Sequence, residues 1–196
     1  MNRKFLLLSI LAFVGASLGI NALVENNAGN DSRMGMDHSS HSSNMNGDDA
    51  MFLQMMIPHH QQAILLSDLA IANSKNQQVL DLAKQIKDAQ APEIEQMKIW
   101  LKAAGQGEDP GHSMHSMAGM LSDSEIEQLK AARGNQFDML FLKGMIAHHQ
   151  GAVDMVAMIE DSRDAKIKEF GAKIKSSQNK EIELMNNLLK DLKDIG

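Results

Sequence analysis

The sequence has no cysteine and no tyrosine, and its aromatic residues are six phenylalanines and one tryptophan. Without cysteine, the chain can form no disulfide bond and can offer no thiolate to zinc or to an iron–sulfur cluster. Its apolar content comes instead from leucine, isoleucine, alanine and sixteen methionines. Strands are enriched in aromatic and β-branched residues, whereas leucine, alanine and methionine favour helices. The composition therefore predicts an all-α protein whose only soft metal ligand is the thioether.

Basic residues are also in the minority, with 19 Lys and Arg against 25 Asp and Glu, so the net charge is −6. An acidic surface argues against nucleic acid as a partner. The length of 196 residues is sufficient for one domain with a substantial core.

The N-terminus has the layout of an export signal. Two basic residues precede an apolar run from Phe5 to Val14, and small residues follow. We expect residues 1–22 to be a signal peptide and the protein to be periplasmic or secreted, with an uncleaved anchor reaching Val24 as the alternative. Any membrane contact would then be through an uncleaved leader. Removing residues 1–22 takes away two basic and no acidic residues, which changes the net charge from −6 to −8.

The chain contains an internal repeat. DAMFLQMMIPHH at residues 49–60 and DMLFLKGMIAHH at residues 138–149 are identical at 7 of 12 positions. Further on, KQIKDAQAPEIEQMKIWL aligns with KIKSSQNKEIELMNNLL when one residue is dropped. Apolar periodicity and turn residues divide each copy into two helices. Two such hairpins bury their apolar stripes best against each other, which predicts a four-helix bundle with a pseudo-two-fold axis.

The predicted domain organisation follows from this repeat. A flexible Met- and His-rich segment occupies residues 23–48, and the bundle occupies residues 49–196. Within the bundle we expect four parts: repeat one at 49–104, with helices at about 49–73 and 76–104; a Met- and His-rich loop at 105–121; a short helix at 122–133; and repeat two at 136–194, with helices at about 136–161 and 164–194.

All eight histidines fall in four pairs, and each pair has methionine within four residues. In the first helix Met56 precedes His59 by three positions and His60 by four, so the three side chains share one face. We predict metal ligands in the bundle at the doublets and at methionines of all four helices: Met56, His59, His60, Met97, Met145, His148, His149 and Met185. The alternative is that the methionines are ordinary core residues and the histidines are hydrogen-bonded.

The two Gly-, Ser- and Asn-rich segments add separate ligand sets. The candidates are Met34, Met36, His38, His41 and Met45 in the first segment and His112, Met114, His115, Met117 and Met120 in the second. We expect these segments to collect metal more weakly than the bundle, because a flexible chain loses conformational entropy when it binds. The alternative is that they are disordered linkers.

Glu93 and Glu181 lie on the same helical faces as Met97 and Met185. We expect each carboxylate to accept a hydrogen bond from an imidazole N–H and so to fix the orientation of that ring. The alternative is that both carboxylates are solvated.

Ligand softness indicates the metal. Thioether with imidazole suits Cu(I) or Ag(I), with Cu(II) as an alternative, whereas iron and manganese prefer oxygen. Di-iron sites in four-helix bundles normally use Glu-x-x-His, and this chain has no Glu three residues before a His.

The doubled motif, FLQMMIPHHQQAI and FLKGMIAHHQGAV, with Gln90, Glu-Ile and Met97 after one copy and Gln178, Glu-Ile and Met185 after the other, resembles a known family. It is similar to the bacterial domain-of-unknown-function family of ferritin-like helical proteins that includes periplasmic copper-binding proteins of the CopM type. The resemblance covers about residues 49–194. It implies a ferritin-like four-helix fold, binding of Cu(I) and Ag(I), and copper resistance by sequestration or export outside the inner membrane.

We therefore expect an exported protein that binds copper ions without catalysis and buffers them or passes them to copper-export or resistance proteins. The alternatives are a cuprous oxidase, a haem-binding bundle and a metal-responsive helical chaperone. The chain contains no C-x-x-C-H motif for covalent haem attachment.

Overall fold

A computed structural model describes residues 45–109 and 117–194 of the chain. These residues form helices and turns and contain no strand. The helices are α1 (Gly47–Asn73), α2 (Gln77–Ala103), α3 (Asp123–Ala131), α4 (Gly134–Met155) and α5 (Ala165–Asp194), with a 3₁₀ turn at Val156–Ile159. The expectation of an all-α protein is confirmed.

Two capping boxes fix where helices begin. The Asn46 side chain accepts from the Asp49 amide at 2.9 Å, and the Asp49 carboxylate accepts from the Asn46 amide at 3.0 Å. Ser122 and Glu125 make the same reciprocal pair at the start of α3, as the sequence pattern predicts. Each box satisfies backbone donors that have no partner inside the helix.

The helices pack as two antiparallel hairpins that meet through their first members. α1 lies along α2, α4 lies along α5, and α1 packs against α4. Edge-to-face contact between Trp100 of α2 and Phe170 of α5, with ring centroids 5.1 Å apart, also joins the hairpins. This is the predicted four-helix bundle. The third helix of the bundle, α4, differs slightly from the expectation. A helix to residue 161 was predicted, but α4 ends at Met155 and tightens into the 3₁₀ turn.

Two apolar clusters fill the bundle on either side of its middle. The first contains Leu66, Ile86, Phe141 and Leu189 among others, and the second contains Phe52, Leu53, Ile94 and Val156 among others. The histidine doublets belong to neither cluster. The core is thus divided in two, and the polar side chains lie between the halves.

The structure describes residues 105–109 and 117–121 of the predicted Met- and His-rich loop at 105–121. Residues Met117–Leu121, here called the strap, fold back onto α1 and α4, and Met117 is only 9% exposed. The strap has little regular structure, so its order comes from tertiary contacts.

Several predictions fall outside the described residues. They are the signal peptide, the first Met- and His-rich segment up to residue 44, and the candidate ligands Met34, Met36, His38, His41, His112, Met114 and His115. Among the helices that the structure describes, none is long and apolar enough to cross a membrane.

Candidate metal centre

Four histidines come together at the middle of the bundle. His59 and His60 of α1 and His148 and His149 of α4 all have 0% relative exposure. The rings of His59 and His148 contact each other across the α1–α4 interface, with centroids 3.8 Å apart and planes tilted by 41°. The doublets therefore point into the core and towards each other. We call these four residues the histidine layer.

The second histidine of each doublet contacts a carboxylate from its own hairpin. His60 Nε2 lies 2.8 Å from Glu93 Oε2, and His149 Nε2 lies 2.6 Å from Glu181 Oε2. The expected hydrogen bond from imidazole to carboxylate is present in both repeats. The function of this bond in orienting a metal ligand stays a prediction.

The His59 ring is held by backbone. Its Nε2 lies 3.2 Å from the carbonyl oxygen of Ala118 in the strap. A carbonyl can only accept, so Nε2 carries the proton and Nδ1 keeps its lone pair. The same reasoning applies to His60 and His149, whose Nε2 atoms face carboxylates. In three of the four rings Nε2 is thus the hydrogen-bond donor, and Nδ1 has no hydrogen-bond partner among the described residues.

Among the described residues, five imidazole nitrogens of the histidine layer are buried without a hydrogen-bond partner. They are Nδ1 of His59, His60, His148 and His149, and Nε2 of His148. Buried polar atoms are nearly always paired, so such a concentration in one layer calls for an explanation. A neutral His148 ring is protonated on one of its two nitrogens, so the five atoms offer four lone pairs, which a metal ion would use.

Burial keeps the rings of His59 and His148, the first histidine of each doublet, neutral. Desolvation, together with the neighbouring His60 ring, lowers the pKa of His59 from 6.5 to about 3. Desolvation, together with the His59 ring, also lowers the pKa of His148 well below its usual value. An imidazole must be unprotonated to bind a metal. At neutral pH both rings therefore already have the protonation state of a ligand.

Two glutamines extend the polar layer, and the sequence reasoning did not assign them to the site. Gln90 is 3% exposed and Gln178 is 2% exposed. Within the described part of the chain, both side-chain polar atoms of Gln90 and the Oε1 atom of Gln178 have no partner. Each glutamine stands three residues before the glutamate that contacts a histidine. That i, i+3 spacing was the available signal.

Helix register places the predicted methionine ligands one turn away from the histidines. His60 pairs with Glu93. Met56 lies four residues before His60 in α1, and Met97 lies four residues after Glu93 in α2. Because α1 and α2 are antiparallel, both methionines lie at the same level of the hairpin, about 6 Å along the axis. Repeat two has the same register, with Met145 and Met185 around the His149–Glu181 pair.

All four methionines are completely buried, but in different clusters. Met56 and Met97 belong to the second apolar cluster, and Met145 and Met185 belong to the first. The thioethers thus form two pairs on opposite sides of the histidine layer. A buried position suits a core residue as well as a ligand, so their part in metal binding stays a prediction.

The other described candidates lie at the edges. Met45 packs against the second cluster, Met117 is buried in the strap, and Met120 lines a cavity of about 300 Å³ beside α3 and α4. In the residues that the structure covers, no three His, Asp or Glu side chains converge to hold a metal ion.

These features define a helical-bundle protein with a buried, duplicated His–Glu layer. The Domain of unknown function (DUF305) family model matches residues 49–189. The chain belongs to this family.

Solved structures show the same fold. A DUF305 fragment from Deinococcus radiodurans is 31% identical, with a TM-score of 0.69, covering 74% of this chain and 97% of that one. A DUF305 protein from Streptomyces coelicolor that is classed as secreted is 30% identical, with a TM-score of 0.68, covering 74% and 92%. CopM in its Cu(II)-bound form is 29% identical, with a TM-score of 0.61, covering 73% and 96%.

CopM has also been solved in Cu(I)-bound, Ag-bound and apo forms. Among curated proteins, none matches the chain. The resemblance to a family with CopM-type members, drawn from the doubled motif, is confirmed.

Proposed function

We propose that this protein is a periplasmic or secreted copper-binding protein that sequesters Cu(I), and also Ag(I), through histidine and methionine side chains. The observation that carries the proposal is the set of five buried, unpaired imidazole nitrogens in the histidine layer. Imidazole with thioether selects soft monovalent ions. The similarity to CopM, which binds copper and silver, supports the same cargo for this chain.

The unpaired nitrogens name the donor atoms. Nδ1 of His59, His60 and His149 and either nitrogen of His148 would bind the metal, with the methionine pairs of the two hairpins completing soft sites. Glu93 and Glu181 would hold the rings in place from behind, as outer hydrogen-bond acceptors do in other metal sites. The Met- and His-rich segments would collect ions and supply them to the bundle.

We further propose that the protein works without catalysis, in copper resistance or homeostasis, and passes its cargo to copper-export or resistance proteins. Two or three soft ligands satisfy Cu(I) and leave no open position for oxygen chemistry. The relative classed as secreted supports a location outside the cytoplasm.

A second candidate function is a cuprous oxidase. It is favoured by the nitrogen and oxygen donors of the layer, which also suit Cu(II), and by the existence of both Cu(I)-bound and Cu(II)-bound CopM. Oxygen consumption on adding Cu(I) to the purified protein, above that of the buffer, would establish this function. We expect none.

The main experiment is titration of the protein with Cu(I) against a chromophoric chelator. Replacing all four histidines of the layer by alanine should remove the tightest sites, while replacing His38, His41, His112 and His115 should remove only weaker ones. Circular dichroism of each variant checks that the bundle is still folded. Unchanged stoichiometry and affinity in the first variant would remove the histidine layer from the proposed function.

A further inference from the structure

The strap covers the histidine layer. Ala118 is exposed to solvent, yet its carbonyl oxygen lies 3.2 Å from Nε2 of His59, which is completely buried. In the part of the chain that the structure describes, the backbone at Ala118 therefore separates the His59–His148 pair from water on this side. An ion that reaches these rings from this side must displace the strap.

Two adjacent contacts hold the strap on α1. The Gln62 side chain donates to the carbonyl of Leu121 at 2.9 Å and accepts from the amide of Leu121 at 2.8 Å. Both polar atoms of one side chain thus bind one peptide residue, much as a neighbouring strand would. Gln62 stands three residues after His59, on the same side of α1.

Two glycines allow the strap to approach α4. Gly119 has a φ of +81°, which suits glycine, and it is the third residue of the turn closed by Met120 N–H and Met117 C=O at 3.3 Å. A Cβ atom on Gly151 would overlap the carbonyl of Ala118, and one on Gly119 would overlap the carbonyl of Ala147. Backbone therefore lies directly on backbone at this point.

The duplicated motifs differ at the positions that meet the strap. HHQQAI in repeat one and HHQGAV in repeat two place Gln62 and Gly151 at equivalent sites. The glutamine binds the strap and the glycine makes room for it. This one difference between the two repeats thus provides both the side chain that binds the strap and the space that the strap needs.

We propose that Gln62 is a positioning residue of the histidine layer: by holding Leu121, it keeps the Ala118 carbonyl on His59 and so controls both the orientation of that ring and the entry of metal. This inference rests on the proposed function for its metal-binding part. The strap is the C-terminal end of the second Met- and His-rich segment and contains its candidates Met117 and Met120. Release of Leu121 would therefore open the layer next to the chain that we expect to collect ions.

The test compares Gln62→Ala with Gln61→Ala, an exposed neighbour of the same type. Amide exchange at Leu121 and the His59 Nε2–H signal are followed by NMR without metal, and Cu(I) uptake from its bicinchoninate complex is followed by stopped flow. In Gln62→Ala we expect Leu121 exchange and Cu(I) uptake to be at least about tenfold faster. The affinity of the histidine-dependent site should fall about tenfold, as for loss of an outer acceptor.

Gln62→Glu keeps the acceptor for the Leu121 amide and loses the donor to its carbonyl, so its values should lie between those of wild type and Gln62→Ala. Gly151→Ala, which would displace the strap sterically, should reproduce the fast uptake. Leu121 exchange that is the same in wild type, Gln62→Ala and Gln61→Ala would overturn the inference, whether or not copper binds. Absence of histidine-dependent copper binding with altered Leu121 exchange would instead refute the proposed function and leave the hold of Gln62 on the strap established.

Discussion

His59 and His148 occupy the same position in the two repeats, and their rings contact each other at 3.8 Å between centroids. Equivalent residues of two repeats can touch only near the axis that relates the repeats. This axis therefore passes through the histidine layer. The two rings differ in their backbone contacts, because Nε2 of His59 contacts the Ala118 carbonyl in the strap, whereas the backbone beside the His148 ring is that of His59 itself.

The stability of the fold should fall as the pH falls below 6.5. The unfolded chain takes up a proton at each histidine near pH 6.5, whereas folded His59 stays neutral down to about pH 3. His148, which faces His59 and His149, shifts in the same direction. The unfolded state therefore binds more protons in this window, and each of the two histidines lowers the free energy of unfolding by about 1.4 kcal/mol per pH unit.

Urea denaturation between about pH 5 and pH 8 measures this effect, because most carboxylates stay ionised in that range. A double variant with His59→Leu and His148→Leu should show a much shallower dependence on pH. A slope equal to that of the wild type would show that these two rings do not cause it.

Replacing Glu93 by Gln should lower the Cu(I) affinity of the bundle by about 10- to 100-fold, the usual effect of losing an outer acceptor for a ligating imidazole. The amide still fills the space, so the fold should persist. Competition titration with a Cu(I) chelator measures the change. Glu95→Gln is the matched control, since Glu95 is exposed and pairs with Lys98 on the surface of α2 at 3.2 Å. Equal affinity in the two variants would contradict an orienting role for Glu93.

A pair of substitutions separates thioether ligands from core methionines. Met56→Leu with Met97→Leu preserves volume and should change the free energy of unfolding by less than about 1.5 kcal/mol per site. If the thioethers bind Cu(I), the affinity should fall at least about tenfold, or about 1.4 kcal/mol.

Met155→Leu provides the control, because Met155 is buried in the same apolar cluster and has no place in the predicted site. X-ray absorption of the copper-loaded protein should show fewer sulfur neighbours in the double variant only. An unchanged sulfur count would identify Met56 and Met97 as core residues.

Ser74→Ala should destabilise the fold by about 1–3 kcal/mol. The Ser74 hydroxyl donates to Asp138 Oδ1 at 2.6 Å, and this buried bond ties the α1–α2 turn to α4. Without it, the buried carboxylate loses its partner. The urea midpoint of Ser74→Ala is compared with that of Ser124→Ala, which alters an exposed serine in α3 and should have little effect. Equal midpoints would show that the hydroxyl contributes nothing.

The sequence predicted the fold closely because several local signals agree. The repeat sets two hairpins, the Ser122–Glu125 pattern marks the start of α3, and the turn residues mark the helix ends to within a few positions. The doublets and their carboxylates were predicted for the same reason, since helical spacing alone brings Glu93 to the level of His60 once the hairpin closes.

The strap was not predicted. Its composition is that of a flexible loop, and its order depends on Gln62 and Gly151, which are distant in sequence from it and from each other. Local pattern likewise could not separate Met56 from the methionines of an ordinary core. Both matters depend on what surrounds a residue after folding, and periodicity contains no information about that.

The divergence between Gln62 and Gly151 makes the two halves of the bundle non-interchangeable. A protein built by joining two copies of the first hairpin would have glutamine at both positions, and the strap would collide with the helix that corresponds to α4. Two copies of the second hairpin would leave room for the strap but would provide no side chain to bind it. Duplication of one hairpin could create such a bundle. The strap could cover the histidine layer only after the two repeats had come to differ at this position.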